Sequence, residues 1–337
     1  MKFVSFLKEQ ELRVGLYIND KVYDLVENGQ AIGLAIPATM LELLWHEEAG
    51  MEAARKVEDA IKSGKTAVTA DKVTMLAPIP NPPSCRDAYA FRQHVATARR
   101  NRGVEMIPEF DMYPIFYFTN HNAIYGSGNV LVEDDHMHKL DFELEAAIIV
   151  GKRGKNISAK DADQYIAGYT IMNDLSARVL QMEEMKLNLG PAKGKDFATG
   201  IGPWLVTPDE LEQYKIETEF GDKYNLSMKA FHNGTQVSEG NMKDMNWTFA
   251  EILERASYGT EIYPGDVIGS GTVGSGCYLE LNGTWTLEAK EKGEEHTPIW
   301  LQDGDTIEMT IDGLGELSNK MVKSSESNSI LAKKKQV

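Results

Sequence analysis

The sequence predicts an α+β fold, mainly β. A small N-terminal α/β domain (1–77) precedes a larger mixed-β domain (78–322) and a flexible tail (323–337). Three observations carry this. Apolar residues at helical intervals are concentrated before residue 65, and beyond residue 84 short strand-like segments dominate. Between them Pro78, Pro80, Pro82 and Pro83 form an extended linker that neither helix nor inner strand tolerates.

The elements follow in order. Phe3–Leu7 and Val14–Val22 have β character, with Asn19-Asp20 as a hairpin turn. Thr39-Met-Leu-Glu42 has capping-box spacing and opens a helix through Leu43, Leu44 and Trp45. Met51–Lys62 repeats apolar residues at helical intervals and stops at Ser63-Gly64. In the larger domain Lys139–Gly151 alternates and then becomes continuously apolar, as a buried strand does. Ser158 caps a short helix through Ile166, and Gly168–Asn173 is again strand. Tyr224–His232, Val267–Ser270, Tyr278–Leu281 and Thr306–Ile311 complete the strands. Asn233-Gly234, Pro264-Gly265-Asp266, Asn282-Gly283 and Asp303-Gly304 serve as turns.

Of 337 residues 42% are hydrophobic, enough for a sizeable core, and the net charge is −16. That charge argues against nucleic acid and anionic lipid as partners, because both require basic surface. Two cysteines, Cys85 and Cys277, are too few for a disulfide scaffold or a thiolate zinc site. No run approaches the roughly 20 apolar residues of a membrane span, so a cytoplasmic protein is expected.

The chemistry is concentrated in carboxylates. In Leu140-Asp-Phe-Glu-Leu-Glu-Ala146 strand alternation puts Asp141, Glu143 and Glu145 on one face. Like charges beside an apolar run are costly unless a cation lies between them, and an all-oxygen set suits Mg²⁺, Mn²⁺ or Ca²⁺. The competing reading is a solvated acidic strand face. Asp174 ends a second apolar strand, where it reads equally as a helix N-cap. His94 stands among Arg92, Arg99, Arg100 and Arg102, a cationic cluster able to attract a carboxylate or simply a solvated helix face. Gly269-Ser-Gly-Thr-Val-Gly274 fits the dinucleotide pattern, but a strand-like segment follows where that motif needs a helix.

As a set these segments resemble the fumarylacetoacetate hydrolase family. The matching pieces are Asp87-Ala-Tyr89, Arg92-Gln-His94, Asn101-Arg-Gly103, Glu143-Leu-Glu145, Met172-Asn-Asp174-Leu-Ser-Ala-Arg178 through Gln181, Gly194-Lys195, Pro203-Trp204, Gly271-Thr272 and Leu279-Glu-Leu281. The resemblance covers about residues 80–315. It implies a mixed β-roll catalytic domain, usually in a homodimer, with Asp87, Glu143, Glu145 and Asp174 holding a divalent cation, Mg²⁺ or Ca²⁺ with Mn²⁺ as a further option. It implies His94 as general base oriented by Glu280, with Arg178, Gln181 and Lys195 stabilising developing negative charge. Tyr89, Arg102, Tyr117 and Thr272 would bind substrate, and Asp141 would support the strand.

The implied reaction is hydrolysis of a C–C bond in a small acidic β-diketo acid, namely fumarylacetoacetate to fumarate and acetoacetate in aromatic amino-acid breakdown. Two departures touch the substrate side. One residue is missing between His94 and Arg102-Gly103, and one is extra between Gln181 and Gly190, so that Met185 or Lys186 replaces a family tyrosine. An acylpyruvate hydrolase, or a 2-oxo-enedioate hydratase, isomerase or decarboxylase on the same scaffold, is the alternative. A non-catalytic metal-binding protein is the reading from a different class.

Overall fold

The computed structural model describes residues 1–326 and 328–335. Within the segment read as a tail, Ser327, Gln336 and Val337 therefore lie outside the described residues. Ser329, Ile330 and Leu331 donate hydrogen bonds to Asp135, and Lys334 pairs with Glu183.

The principal sheet is built from Lys2–Lys8 (β1), Glu11–Ile18 (β2), Lys21–Asp24 (β3), Cys85–Ala88 (β4), Phe116–Thr119 (β5), Leu144–Val150 (β6), Ile166–Asp174 (β7), Thr199–Val206 (β8) and Val267–Gly269 (β9). Their spatial order is β3-β2-β1-β8-β7-β6-β9-β4-β5, with Thr74–Met75 paired to β1 and Ile124–Tyr125 to β8. Pairing of Phe3 with Leu205 joins the N-terminal strands to this sheet. Asn19 and Asp20 both take positive φ, at 49° and 60°, and form the expected turn between β2 and β3.

Alternation along β6 explains the layers on either side. Ala147 and Ile149 pack with Leu43, Leu44, Val57 and Ile61 from the N-terminal helices Met40–Trp45 and Glu47–Lys62. Ala146, Ile148 and Val150 face the other way, into a core shared with Met228, Ala230, Met309 and Leu317. Those residues come from a second sheet of five strands, in the order Thr235–Asn241, Ser227–His232, Thr306–Ile311, Gly315–Lys323 and Gly128–Val132. The fold is thus mixed α+β, mainly β. β6 reads as a continuous apolar run because both of its faces are covered. The capping box at Thr39 and Glu42 forms as expected.

Two local expectations are overturned. Lys139–Gly151 is not one strand: Leu140–Asp141 pairs with Ser176–Ala177, the chain breaks at Phe142-Glu143, and β6 begins at Leu144. Tyr278–Leu281 is not a strand either, and Asn282-Gly283 is not a turn; both lie in the helix Tyr278–Glu291. The Asp141 carboxylate accepts the N–H groups of Tyr278 and Leu279 at 2.7 and 2.9 Å and so nucleates that helix. Asn282 holds Ile299 through both its backbone groups, a tertiary tie that outweighs local turn preference.

Candidate active site

Four carboxylates converge where the centre of the sheet ends. Asp87 comes from β4, Glu145 from β6, Asp174 from the end of β7, and Glu143 from the break before β6. One oxygen of each lies within 4.8 Å of one from every other, and all four residues are buried. β9 runs between β6 and β4, with Gly269 opposite both Ala147 and Asp87. A Cβ at Gly269 would lie 2.5 Å from Asp87 Oδ1 and 3.0 Å from Glu145 Oε2. The absent side chain is what lets two acids meet across an intervening strand. Gly271, at φ +79°, then donates its N–H to Asp87 Oδ1 and Glu145 Oε2, both at 3.0 Å.

Two buried cations offset part of this charge. Lys195, on the helix Ala192–Lys195, reaches Glu143 and also Asp174 Oδ2 at 2.6 Å. The guanidinium of Arg178, which opens the helix Arg178–Met185, binds Asp141 and Glu143 at 2.7–2.8 Å and Gln181 Oε1 at 2.9 Å. Asp174 is therefore not the N-cap of the helix beginning at Arg178; Ala177 stands there, and the Asp174 carboxylate instead takes the Tyr117 hydroxyl.

The charge balance is uneven. Burial, and then the Asp174 charge, push the Asp87 carboxyl up to about 7. Burial and the facing Asp87 raise Glu145 well above the usual range. Burial acts on Glu143 too, but Lys195, Arg178 and His94 overcome it and hold that group down at about 2. Asp174 Oδ1 is buried without a hydrogen-bond partner. A buried oxygen left unpaired among repelling carboxylates is the environment that an oxygen-ligated divalent cation relieves, so these four residues fit such an ion.

Two helices form the wall facing the cluster. His94 lies in Arg92–Asn101 (α1) and Glu280 in Tyr278–Glu291 (α2). His94 Nδ1 is 2.6 Å from Glu280 Oε2, while Glu280 Oε1 accepts the Ser275 N–H at 2.9 Å. Asn101 on α1 donates to the Glu280 carbonyl at 2.9 Å and packs against Gly283, where a Cβ would come within 2.5 Å of it. The helices lie close enough to hold the dyad because residue 283 has no side chain.

A cavity of about 550 Å³ separates the two halves. It is lined by His94, Asp87, Glu143, Lys195, Arg178 and Gln181, and by all four residues expected to bind substrate: Tyr89, Arg102, Tyr117 and Thr272. Glu145, Asp174 and Glu280 stand behind this surface. Met185 lines the cavity, whereas Lys186 is absent from its wall, so Met185 takes the place left open by the sequence. Sequence reasoning passed over the lining residues Ile115, Asn282, Thr286, Pro298 and Trp300, which no motif marks.

A profile of the fumarylacetoacetate (FAA) hydrolase C-terminal region matches residues 84–322. The chain belongs to the fumarylacetoacetate hydrolase family. Among its curated relatives in that family, oxaloacetate tautomerase YisK of Bacillus subtilis is 28% identical over 338 residues, covering 95% of this chain and all of the relative. A mitochondrial oxaloacetate tautomerase of Homo sapiens is 28% identical over 298 residues, 88% of this chain and 84% of that one. Among solved structures, a fumarylacetoacetate hydrolase from Exiguobacterium antarcticum superposes with TM-score 0.68 at 23% identity, over 96% of this chain and all of that one. Maleylpyruvate hydrolase from Sphingobium sp. SYK-6, solved in complex with manganese(II) and pyruvate, gives TM-score 0.67 at 21% identity with the same coverage. These likenesses establish the family and the fold of its members, and with them an enzyme scaffold.

Proposed function

We propose that the protein interconverts the keto and enol forms of a small 2-oxo dicarboxylate of the oxaloacetate type. The observation that carries this reading is the placement of the His94–Glu280 dyad across one cavity from the four-carboxylate cluster. Relatives that bear the name oxaloacetate tautomerase, matched over 84–100% of their own length, support the choice of reaction.

A divalent cation, Mg²⁺, Mn²⁺ or Ca²⁺, held by Asp87, Glu143, Glu145 and Asp174 would supply Lewis acidity toward the oxygens of a 2-oxo acid. The chain's own residues do the rest. His94 takes a proton from the carbon next to the 2-oxo group, and a proton returns to the carbonyl oxygen, leaving the formula unchanged. Glu280 keeps the His94 ring oriented and stabilises the imidazolium formed in between, a contribution of order 10²–10⁴ in rate for such a base. Gln181 donates to oxygens that gain charge in the enolate, and Lys195, paired with Glu143 and Asp174, lends them its positive charge. Arg178, spent on Asp141, Glu143 and Gln181, acts by positioning them. Arg102, exposed where it lines the cavity, and Tyr89, whose ring meets His94 edge-on, hold the distal carboxylate.

Hydrolysis of a C–C bond in fumarylacetoacetate or an acylpyruvate is the second reading. It is favoured by the same dyad, which can take a proton from water as readily as from carbon.

The deciding experiment follows enol-oxaloacetate decay in Mg²⁺, in Mn²⁺ and in chelator, for the parent and for His94→Ala, beside assays with fumarylacetoacetate and an acylpyruvate. Metal-dependent acceleration of ketonisation, lost in the variant, supports the tautomerase reading. Cleavage of either diketo acid without ketonisation would replace it with hydrolysis.

A further inference from the structure

Behind His94 lies a second group of ligand-type side chains. Ligand atoms of His94, Cys277 and Glu280 lie within 4.8 Å of one another, and all three residues are buried. Cys277 is a free thiol at the N-cap of α2, yet its side chain makes no capping hydrogen bond. Burial, and then the Asp141 charge, raise its thiol well above the usual range, so a bound cation is needed to draw out the thiolate. The set differs in kind from the carboxylate cluster. One nitrogen, one sulfur and one oxygen suit a borderline-soft ion and give Mg²⁺ or Ca²⁺ little.

We infer that His94, Cys277 and Glu280 form a second, thiophilic metal site that takes Zn²⁺ or Co²⁺ and silences the base. Glu280 Oε2 and His94 Nδ1, hydrogen-bonded at 2.6 Å, exchange that bond for the ion and move apart to admit it, while Ser275 continues to hold Glu280 Oε1. The imidazole moves its proton from Nδ1 to the other ring nitrogen. The thiol releases its proton to solvent, and the thiolate, Nδ1 and Oε2 each donate a lone pair to the ion. No oxidation state changes. Three protein ligands leave a fourth position for water, a common zinc arrangement. His94 so bound has lost the lone pair facing the cavity, and turnover stops. The loss of turnover rests on His94 being the base, whereas occupancy of the site does not.

The test titrates Co²⁺ into the full-length protein in excess Mg²⁺ and records near-ultraviolet absorption, where sulfur-to-cobalt charge transfer appears and carboxylate ligation contributes none. The parent should show this band, and Cys277→Ser and Cys277→Ala should lose it while Cys85→Ser keeps it. Equilibrium dialysis with Zn²⁺ should give two ions per chain in the parent and one in Cys277→Ser. If the cysteine variants fail to fold, Glu280→Gln retains the thiol and should bind the second ion at least about tenfold more weakly. Absence of the band in the parent, or its survival in a folded Cys277 variant, overturns the site. Zinc should inhibit the parent at least tenfold more strongly than Cys277→Ser. A sulfur-ligated ion without inhibition would leave the site standing and overturn the assignment of His94 as base.

Discussion

Replacing Asp87 by Asn should make the metal-free protein more stable at alkaline pH and unable to hold its cation tightly. Asp87 is 3% exposed, and burial together with the Asp174 charge lifts its carboxyl from the ordinary 3.8 to about 7. In the unfolded chain the group loses its proton near 3.8. Between about pH 4 and pH 7 the folded state therefore binds a proton that the unfolded state has released, and stability falls as pH rises through that window. The interval spans about 3 pH units at about 1.4 kcal/mol each, so the loss approaches about 4 kcal/mol above pH 7. Glu145 is raised by the same repulsion and adds to it in the same direction. Asparagine is neutral, nearly isosteric, and still accepts the Gly271 N–H. Urea denaturation in chelator at pH 5 and pH 8 measures the effect. Parent and variant should already differ by about 1–2 kcal/mol at pH 5 and by about 4 kcal/mol at pH 8, with the variant the more stable. Saturating Mg²⁺ should restore the parent by mass action and leave the variant unmoved. Parallel stability profiles for the two proteins would refute the account of this cluster as repelling charge that awaits a cation.

Three further outcomes are expected. His94→Ala should lower kcat by about 10²–10⁴ and cost about 1–3 kcal/mol of stability, because buried Glu280 loses its partner, and Glu280→Gln should lower kcat less while shifting the pH–rate profile, as steady-state kinetics and thermal unfolding would show. Gly283→Ala would place a Cβ 2.5 Å from Asn101, so circular-dichroism melting should show about 1–3 kcal/mol of destabilisation, and kcat should fall more than KM rises as the dyad is displaced. Lys195→Met removes the buried cation between Glu143 and Asp174. Denaturation of the metal-free protein at pH 8 should show a loss of about 3–5 kcal/mol, because two buried carboxylates are left without their partner.

Local elements were legible where local physics decides them. The Thr39 capping box, the Asn19-Asp20 turn and the apolar run of β6 need only neighbours in sequence, and each forms as expected. Glu143, Glu145 and Asp174 stood out as carboxylates on or after apolar runs, each with a competing reading as a solvated face or a helix cap, and the four-acid set with Asp87 came from the family resemblance. Tyr278–Leu281 was misread because its helix depends on Asp141, a residue far away along the chain whose carboxylate satisfies the first N–H groups. The break at Phe142-Glu143 was equally hidden. Asn173 accepts the Glu143 N–H across the sheet and turns Glu143 toward Lys195 and Arg178.

The sequence by itself determined the family, the mainly-β class and the acids that meet at the sheet end. The class follows from apolar periodicity, and the family with its set of acids from a resemblance carried by short motifs along the chain. The tertiary structure alone decided which cation faces which acid, that Gly269 is the notch through which Asp87 and Glu145 approach, and that Met185 lines the cavity. It also brought Cys277 beside the His94–Glu280 dyad. Each of these is a distance between groups far apart along the chain, set by strand order and by helix packing across a missing side chain, and no local pattern encodes such a distance.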